Sequence, residues 1–288
     1  MKLFTPVIFD CPKNIFSYKD KIMFLGSCFA SSVGEKFSDA GFDVMVNPFG
    51  PLYNPVSISN AVMRLRSAIP FTTEDCIPMG AGAGKICSFS HHTSFARDSE
   101  EAFLENANDC LSKASTFWKE TSVVMITLGT AFMWQLASTG ETVSNCLKRP
   151  QGEFVRKRLG PQAAASVLKA LAGAFPEKRF VFTVSPIRHL GSGAHLNQLS
   201  KSTLILATDE AVSAFPGRVS YFPSFEIMMD ELRDYRFYDE SLTHPSAQAE
   251  GYIMERFIEW GLPSTEKETY ELKMKEFLRA SHRNILKG

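Results

Sequence analysis

The sequence has 288 residues, and its 31 Lys and Arg are balanced by 31 Asp and Glu. A net charge of zero argues against a dedicated nucleic-acid binder and against a polybasic membrane-surface protein, because both depend on surplus positive charge. Hydrophobic residues make up 44% of the chain, which is enough for a sizeable core and excludes general disorder. We therefore expect a globular enzyme or binding module.

The predicted elements alternate between strands and helices along the chain. Strands are expected at 22–28, 44–46, 123–128, 179–184 and 219–222, and a loose hairpin within 76–95. Helices are expected at 29–40, 57–69 with Ser57 as its cap, 98–118 opened by Asp98 or Ser99, 161–175, 196–215, 247–260 and 264–285.

This alternation predicts an α/β fold with a mostly parallel central sheet. The fully apolar run at 123–128 is typical of a strand buried on both faces. We expect one α/β domain over residues 1–263, with a hairpin insertion at 70–97 and a C-terminal helical extension at 264–288.

Cysteine spacing and the N-terminus indicate the compartment. None of the six cysteines forms a CxxC pair, and no apolar stretch has the length of a signal peptide or of a bilayer span. We expect a cytoplasmic protein with free thiols, without a metal or a cofactor.

Two other patterns are weak. The glycine tract before Lys85 lacks the first glycine and the Ser/Thr of a phosphate-binding loop, so a flexible turn is the better interpretation. His91 and His92 would point to opposite faces of a strand, which disfavours a shared metal.

Ser27 and His244 form the strongest candidate pair. Ser27 follows the first strand, at the sheet edge where ligands bind in open α/β folds, and the next helix would point its N–H groups at the serine oxygen. His244 lies in a loop just before a helix, with Asp239 and Glu240 close by. A serine nucleophile needs a base of this kind, oriented by a carboxylate.

Further blocks of sequence carry a resemblance to a known family. They comprise Gly26-Ser27-Cys28-Phe29-Ala30, Asn47-Pro48-Phe49-Gly50, Tyr53-Asn54-Pro55, Ser90-His91-His92, Ile126–Ala131, Asn145-Cys146, Thr183–His189, Asn197–Ser202, Met228–Tyr238 and His244-Pro245-Ser246. The sequence resembles the GSCFA-domain family, which looks like a branch of the SGNH (GDSL-type) hydrolases. That resemblance implies a three-layer α/β/α sandwich and activity on esters.

Carried over residue by residue, the resemblance makes Ser27 the nucleophile and His244 the base. The N–H groups of Ser27 and Gly50 would form the oxyanion hole. Two positions depart from the pattern. Ala131 stands where an oxyanion-hole asparagine is usual, so Asn47, Asn145 or Thr130 would have to substitute.

At the second departure, Ser241 stands where an aspartate usually precedes the histidine. Asp239 or Glu240 would then orient His244, or a backbone carbonyl would do so. We expect substrate contacts from His91, His92, Asn145, Arg188 and His189, and treat Cys28 as a packing neighbour of Ser27 rather than a second nucleophile.

The expected function is hydrolysis of a small-molecule or carbohydrate ester, with an O-acetyl group as the first candidate. An acyltransferase using the same acyl-enzyme is one alternative. A non-catalytic ligand-binding module that retains the fold is another, and Ala131 and Ser241 favour it.

Overall fold

A computed structural model describes residues 4–12 and 14–285, with side chains up to residue 280. The first residues of the predicted domain, 1–3, and the last residues of the predicted extension, 286–288, therefore lie outside the described residues. In chain order the elements are β1 (Lys21–Gly26), α1 (Cys28–Asp39), β2 (Asp43–Val46), α2 (Pro55–Ser67), β3 (Ile77–Pro78), β4 (Ile86–Cys87), α3 (Glu100–Glu120), β5 (Val123–Leu128), β6 (Phe132–Leu136), β7 (Thr142–Val143), β8 (Phe154–Arg158), α4 (Pro161–Gly173), β9 (Arg179–Val184), α5 (Ala194–Ala214), β10 (Val219–Phe222), a short α6 (Ser224–Glu226), α7 (Ala247–Gly261) and α8 (Lys267–Ile285).

The central sheet has five parallel strands in the order β10-β9-β5-β1-β2. β5 is buried at every position, as its uninterrupted apolar sequence predicts. After β1 the chain first turns to β2 on one side and later builds β5, β9 and β10 on the other. The ends of β1 and β5 therefore flank the switch point at which open α/β sheets bind ligands.

Helices cover both faces of this sheet. Side chains of α2, α3, α4 and α5 join one buried apolar cluster, and those of α1 and α7 join a second cluster on the opposite face. The predicted three-layer α/β/α sandwich with a mostly parallel sheet is confirmed.

Two small antiparallel sheets decorate this core. β3 and β4 form the hairpin expected within 76–95. The second sheet, with order β7-β6-β8, was missed by the sequence patterns. Its strand β6 is half-buried at every position and β8 is basic and mostly exposed, so neither has the apolar run or the clean alternation that indicates a strand.

The start of α2 differs from the prediction. Asn54, not Ser57, caps this helix: its Oδ1 accepts a hydrogen bond from the Ser57 N–H at 2.9 Å, and Pro55 occupies the first turn. Ser99 caps α3 as expected. Within the described chain, no helix is both long and apolar enough to cross a membrane.

Candidate active site

Gly26 brings the end of β1 against β5. Its φ is +134°, and a Cβ atom there would lie 2.1 Å from the carbonyl oxygen of Thr127. The Gly26 N–H donates to Asn47 Oδ1 at 2.8 Å, and its carbonyl accepts from the Leu52 N–H at 2.8 Å. A residue without a side chain is therefore required immediately before Ser27.

Ser27 is fully buried, and its hydroxyl makes no hydrogen bond to any described residue. It occupies the N-cap of α1, yet its side chain accepts no N–H from that helix. A buried hydroxyl without a partner is disfavoured by about 1–3 kcal/mol, and serine at an N-cap ordinarily satisfies the helix. None of the described contacts gives this hydroxyl a structural role.

His244 is half-exposed and is oriented by hydroxyl groups. Its Nδ1 lies 3.2 Å from Ser241 Oγ and 3.1 Å from Thr243 Oγ1. Ser241 Oγ in turn donates to Asp239 Oδ1 at 2.5 Å, and the second carboxylate oxygen is 4.0 Å from Nδ1. Of the two predicted carboxylates, Asp239 rather than Glu240 reaches the histidine, and Ser241 bridges them.

The Ser241 contact also stabilises the ionised form of Asp239. The hydrogen bond from the Ser241 hydroxyl is the largest of several influences that lower the pKa of Asp239 below its usual value. A bridging hydroxyl can donate to the carboxylate and accept from the imidazole at the same time. The arrangement therefore favours a proton on Nδ1, which leaves Nε2 as the basic nitrogen.

Arg188 connects the loop after β9 to residues 239–246, which carry His244 and are called the histidine loop. The backbone N–H of Arg188 donates to the Thr243 carbonyl at 2.9 Å, and its side-chain Nη1 donates to the Leu242 carbonyl at 3.2 Å. The guanidinium also lies 5.6 Å from the ring centre of Tyr238. The loop after β9 and the loop that carries His244 are thus held together.

His189 follows on the same loop and lies deeper. Its ring packs edge-on to Tyr53, with 6.1 Å between ring centres, and its Nε2 has no hydrogen-bond partner among the described residues. Burial, the nearby charge of Lys201 and that of His244 lower the pKa of His189 to about 4. This histidine is therefore neutral at physiological pH.

Ser200 and Lys201 of α5 hydrogen-bond to the segments that follow β5 and β9, and the sequence patterns assigned no role to either residue. Lys201 is fully buried, and its Nζ donates to the carbonyls of Gly129 at 2.8 Å and Ser185 at 2.7 Å. Burial lowers its pKa to about 7. A Ser-Lys pair on a helix of small and apolar residues is the signal that could have revealed it, since a lysine is rarely buried without partners.

Four of the predicted oxyanion donors make internal hydrogen bonds. The N–H of Ser27 donates to the Thr127 carbonyl at 3.1 Å, and that of Gly50 donates to the Asn47 carbonyl at 2.7 Å. Asn47 Nδ2 donates to Ser31 Oγ at 2.8 Å, and the Thr130 hydroxyl pairs with Ser200 Oγ at 3.1 Å. In this conformation both backbone N–H groups are committed to carbonyl oxygens, and both side chains already have a hydrogen-bond partner.

Three residues predicted to contact substrate have internal partners in the structure. His91 is fully buried among the rings of Phe49, Phe71, Phe95 and Phe103, and burial lowers its pKa to about 3. His92 caps a short turn and contacts Ser94 Oγ at 3.0 Å. Asn145 accepts the Leu147 N–H in its own turn at 2.8 Å. The hydrogen bonds and packing of these three residues maintain local structure.

Cys28 is exposed next to the buried Ser27. Its Sγ lies 3.5 Å from the hydroxyl of Tyr53, whose ring packs against His189. Burial raises the pKa of Tyr53, so that phenol remains protonated. Cys28, Tyr53 and His189 thus form a row of side chains that begins beside the serine, and His244 is close enough to lower the pKa of His189.

No curated protein matches the sequence. A family model, described as the GSCFA family, matches residues 21–257. The match covers every strand of the central sheet and extends from β1, immediately before Ser27, past His244 into α7. The chain belongs to the GSCFA family.

Proposed function

We propose that this protein is a serine ester hydrolase. The observation that carries the proposal is the Ser27 hydroxyl, which is buried at the switch point of the sheet with no hydrogen-bond partner among the described residues. Unsatisfied buried polar groups are rare in folded proteins and concentrate where function requires them. A hydroxyl that does not cap its helix has no internal hydrogen bond to give up before it attacks a carbonyl carbon.

The histidine loop supplies a base of suitable form. If the His244 Nδ1–H donates to Ser241 Oγ and the Ser241 hydroxyl donates to Asp239, the lone pair of Nε2 is left to accept a proton. Ser27 and His244 are not hydrogen-bonded to each other in this conformation. Such bonds often tighten only when substrate is bound.

The reaction would proceed in two halves. Ser27 Oγ forms a bond to the ester carbonyl carbon while His244 Nε2 takes the hydroxyl proton. The bond between that carbon and the alcohol oxygen then breaks, and His244 returns the proton to the departing alcohol. Water repeats the attack on the acyl-enzyme, which releases the carboxylic acid and restores Ser27.

A carbohydrate ester is the substrate class that we would test first. A cavity of about 210 Å³ adjoins the histidine loop and is lined partly by Arg188, Tyr235 and Tyr238. Exposed aromatic rings with a few polar groups are typical of small-ligand sites, and they suit a sugar that carries an O-acetyl group. A cytoplasmic location, which the sequence suggests, stays a prediction.

Two rivals share this site. An acyltransferase would pass the same acyl group from Ser27 to a second alcohol instead of water. A non-catalytic ligand-binding module is favoured by the engaged oxyanion donors and opposed by the oriented His244. Both are distinguished by the products, since the first yields a new ester and the second yields none.

The test combines turnover with active-site labelling. We expect wild-type protein to hydrolyse p-nitrophenyl acetate and to be labelled on Ser27 by a fluorophosphonate, as mapped by mass spectrometry. Ser27→Ala should lose both, whereas Cys28→Ala, which changes the adjacent exposed residue, should keep both. Equal slow turnover by wild type and Ser27→Ala, with no label on Ser27, would refute the esterase. A label on Cys28 would move the nucleophile by one residue.

A further inference from the structure

His189 carries a polar atom that the mechanism above leaves unused. Its Nε2 is buried and has no hydrogen-bond partner in the part of the chain that the structure describes. The same nitrogen lies 3.3 Å from the point where a Cβ on Gly129 would be, directly over the end of β5. Gly129 lies only two residues beyond Thr127, whose carbonyl accepts the N–H of Ser27. The imidazole is therefore held at the edge of the sheet to which Ser27 belongs.

Attack by a serine on an ester turns the carbonyl oxygen into an anion that needs hydrogen-bond donors. Four of the donors expected from the sequence already have internal partners: the N–H groups of Ser27 and Gly50 and the side chains of Asn47 and Thr130. Those bonds hold the β1 end and the turn after β2, so releasing them would disturb the site itself. His189 Nε2 has no such bond to give up.

His189 suits donation better than proton uptake. Lys201 and His244 are the charged or titratable groups that act on it, together with the buried phenol of Tyr53 beside its ring. A second positive charge at this position is disfavoured by the buried ammonium and by burial of the ring. No carboxylate contacts the ring among the described residues, whereas His244 has Asp239 through Ser241. A neutral imidazole carries one N–H, which can be placed on Nε2.

The backbone around the ring is also constrained. The backbone N–H of His189 donates to Asn197 Oδ1 at 2.9 Å, and Lys201 Nζ bonds the carbonyls of Gly129 and Ser185 on either side. The backbone next to the imidazole is thus hydrogen-bonded to side chains of α5. A donor fixed before the reaction begins needs no reorganisation as charge develops.

We propose that the Nε2–H of His189 donates a hydrogen bond to the oxyanion that forms when Ser27 attacks the ester. This role rests on the proposed esterase function and adds a side-chain donor that the sequence did not reveal. His189 would bind the transition state more strongly than the substrate, so its loss should lower kcat rather than raise KM.

Three substitutions test the proposal with p-nitrophenyl acetate. His189→Gln places an amide nitrogen near the position of Nε2, whereas the amide of His189→Asn stops near the position of Nδ1. We expect kcat to fall by about 10²-fold in His189→Ala and His189→Asn, with KM within about threefold of wild type. His189→Gln should recover at least tenfold of that loss. His195→Gln, which replaces an exposed histidine near the start of α5 that has no assigned role, should retain wild-type kcat.

The controls separate a donor from a base and from a structural residue. The pH dependence of kcat/KM in His189→Gln should keep the wild-type midpoint, because His244 remains the base. Thermal melting of the Gln and Asn variants should agree, so that folding does not explain their difference. Equal impairment of the two variants, wild-type kcat in His189→Ala, or a shifted midpoint of the pH profile in His189→Gln would each overturn the proposal. An inactive, unlabelled wild type would refute the esterase itself.

Discussion

Replacing Gly26 by alanine should both destabilise the fold and disrupt the site. The new Cβ would lie 2.1 Å from Thr127 O, 2.8 Å from the Thr127 carbonyl carbon and 2.9 Å from its nitrogen. All three are backbone atoms of the central strand, which no rotamer change can move. The φ of +134° adds strain of about 1–3 kcal/mol for any residue with a side chain.

Relieving the overlap requires the ends of β1 and β5 to separate by roughly 1 Å. That shift would break the Ser27 N–H bond to Thr127 O and weaken the two bonds of Gly26, to Asn47 Oδ1 and from Leu52. Each such bond contributes about 0.5–1.5 kcal/mol, so with the backbone strain the free energy of unfolding should fall by about 4 kcal/mol.

The assay is urea unfolding followed by circular dichroism, with Gly251→Ala as the matched control. Gly251 lies inside α7 with nothing within 4 Å of its Cβ position, so alanine there should stabilise by about 0.5–1 kcal/mol. The two substitutions are chemically identical and should have opposite signs. A Gly26→Ala protein within 1 kcal/mol of wild type would refute the close approach of β1 and β5.

Three other substitutions test parts of the site and core. Ser241→Ala should lower kcat by about tenfold, which is less than loss of the base would cause, because the Thr243 hydroxyl still contacts His244. Glu240→Gln should leave kcat unchanged. A larger loss in Glu240→Gln than in Ser241→Ala would contradict the Ser241 bridge between Asp239 and His244. His91 has a pKa of about 3 in the folded protein and 6.5 in an unfolded chain, so the free energy of unfolding should fall as pH drops below 6.5. His91→Leu should therefore move the midpoint of acid unfolding to lower pH, and an unchanged midpoint would argue against the burial of His91. The pKa of Lys201 is about 7 in the folded protein and 10.5 in an unfolded chain, so the wild-type free energy of unfolding should rise between those pH values. Lys201→Met should remove this rise, and a variant that keeps the wild-type pH dependence would contradict the burial of Lys201.

The central sheet could be predicted because its strands are short runs of apolar residues. β5 reads as a buried strand from its sequence alone, and Gly-Ser at the end of β1 places a hydroxyl at the ligand-binding edge. β6 and β8 were not predictable in this way, since their half-exposed residues pair with partners about twenty positions away. The cap at Asn54 does have a local sequence signal, an asparagine immediately before a proline, although Ser57 was the predicted cap.

The sequence by itself determined the fold class, the family and the two residues, Ser27 and His244, around which a reaction can be proposed. Only the tertiary structure decided which polar atoms meet. It bridges Asp239 to His244 through Ser241 and gives internal partners to four of the expected oxyanion donors. It also buries His91 in a cluster of phenylalanines and leaves His189 Nε2 without a described partner. Periodicity reports which residues face the core, because burial follows helix and strand geometry. It does not report hydrogen-bond partners, because these depend on loops such as 185–193 and 239–246 that meet only after the sheet has formed.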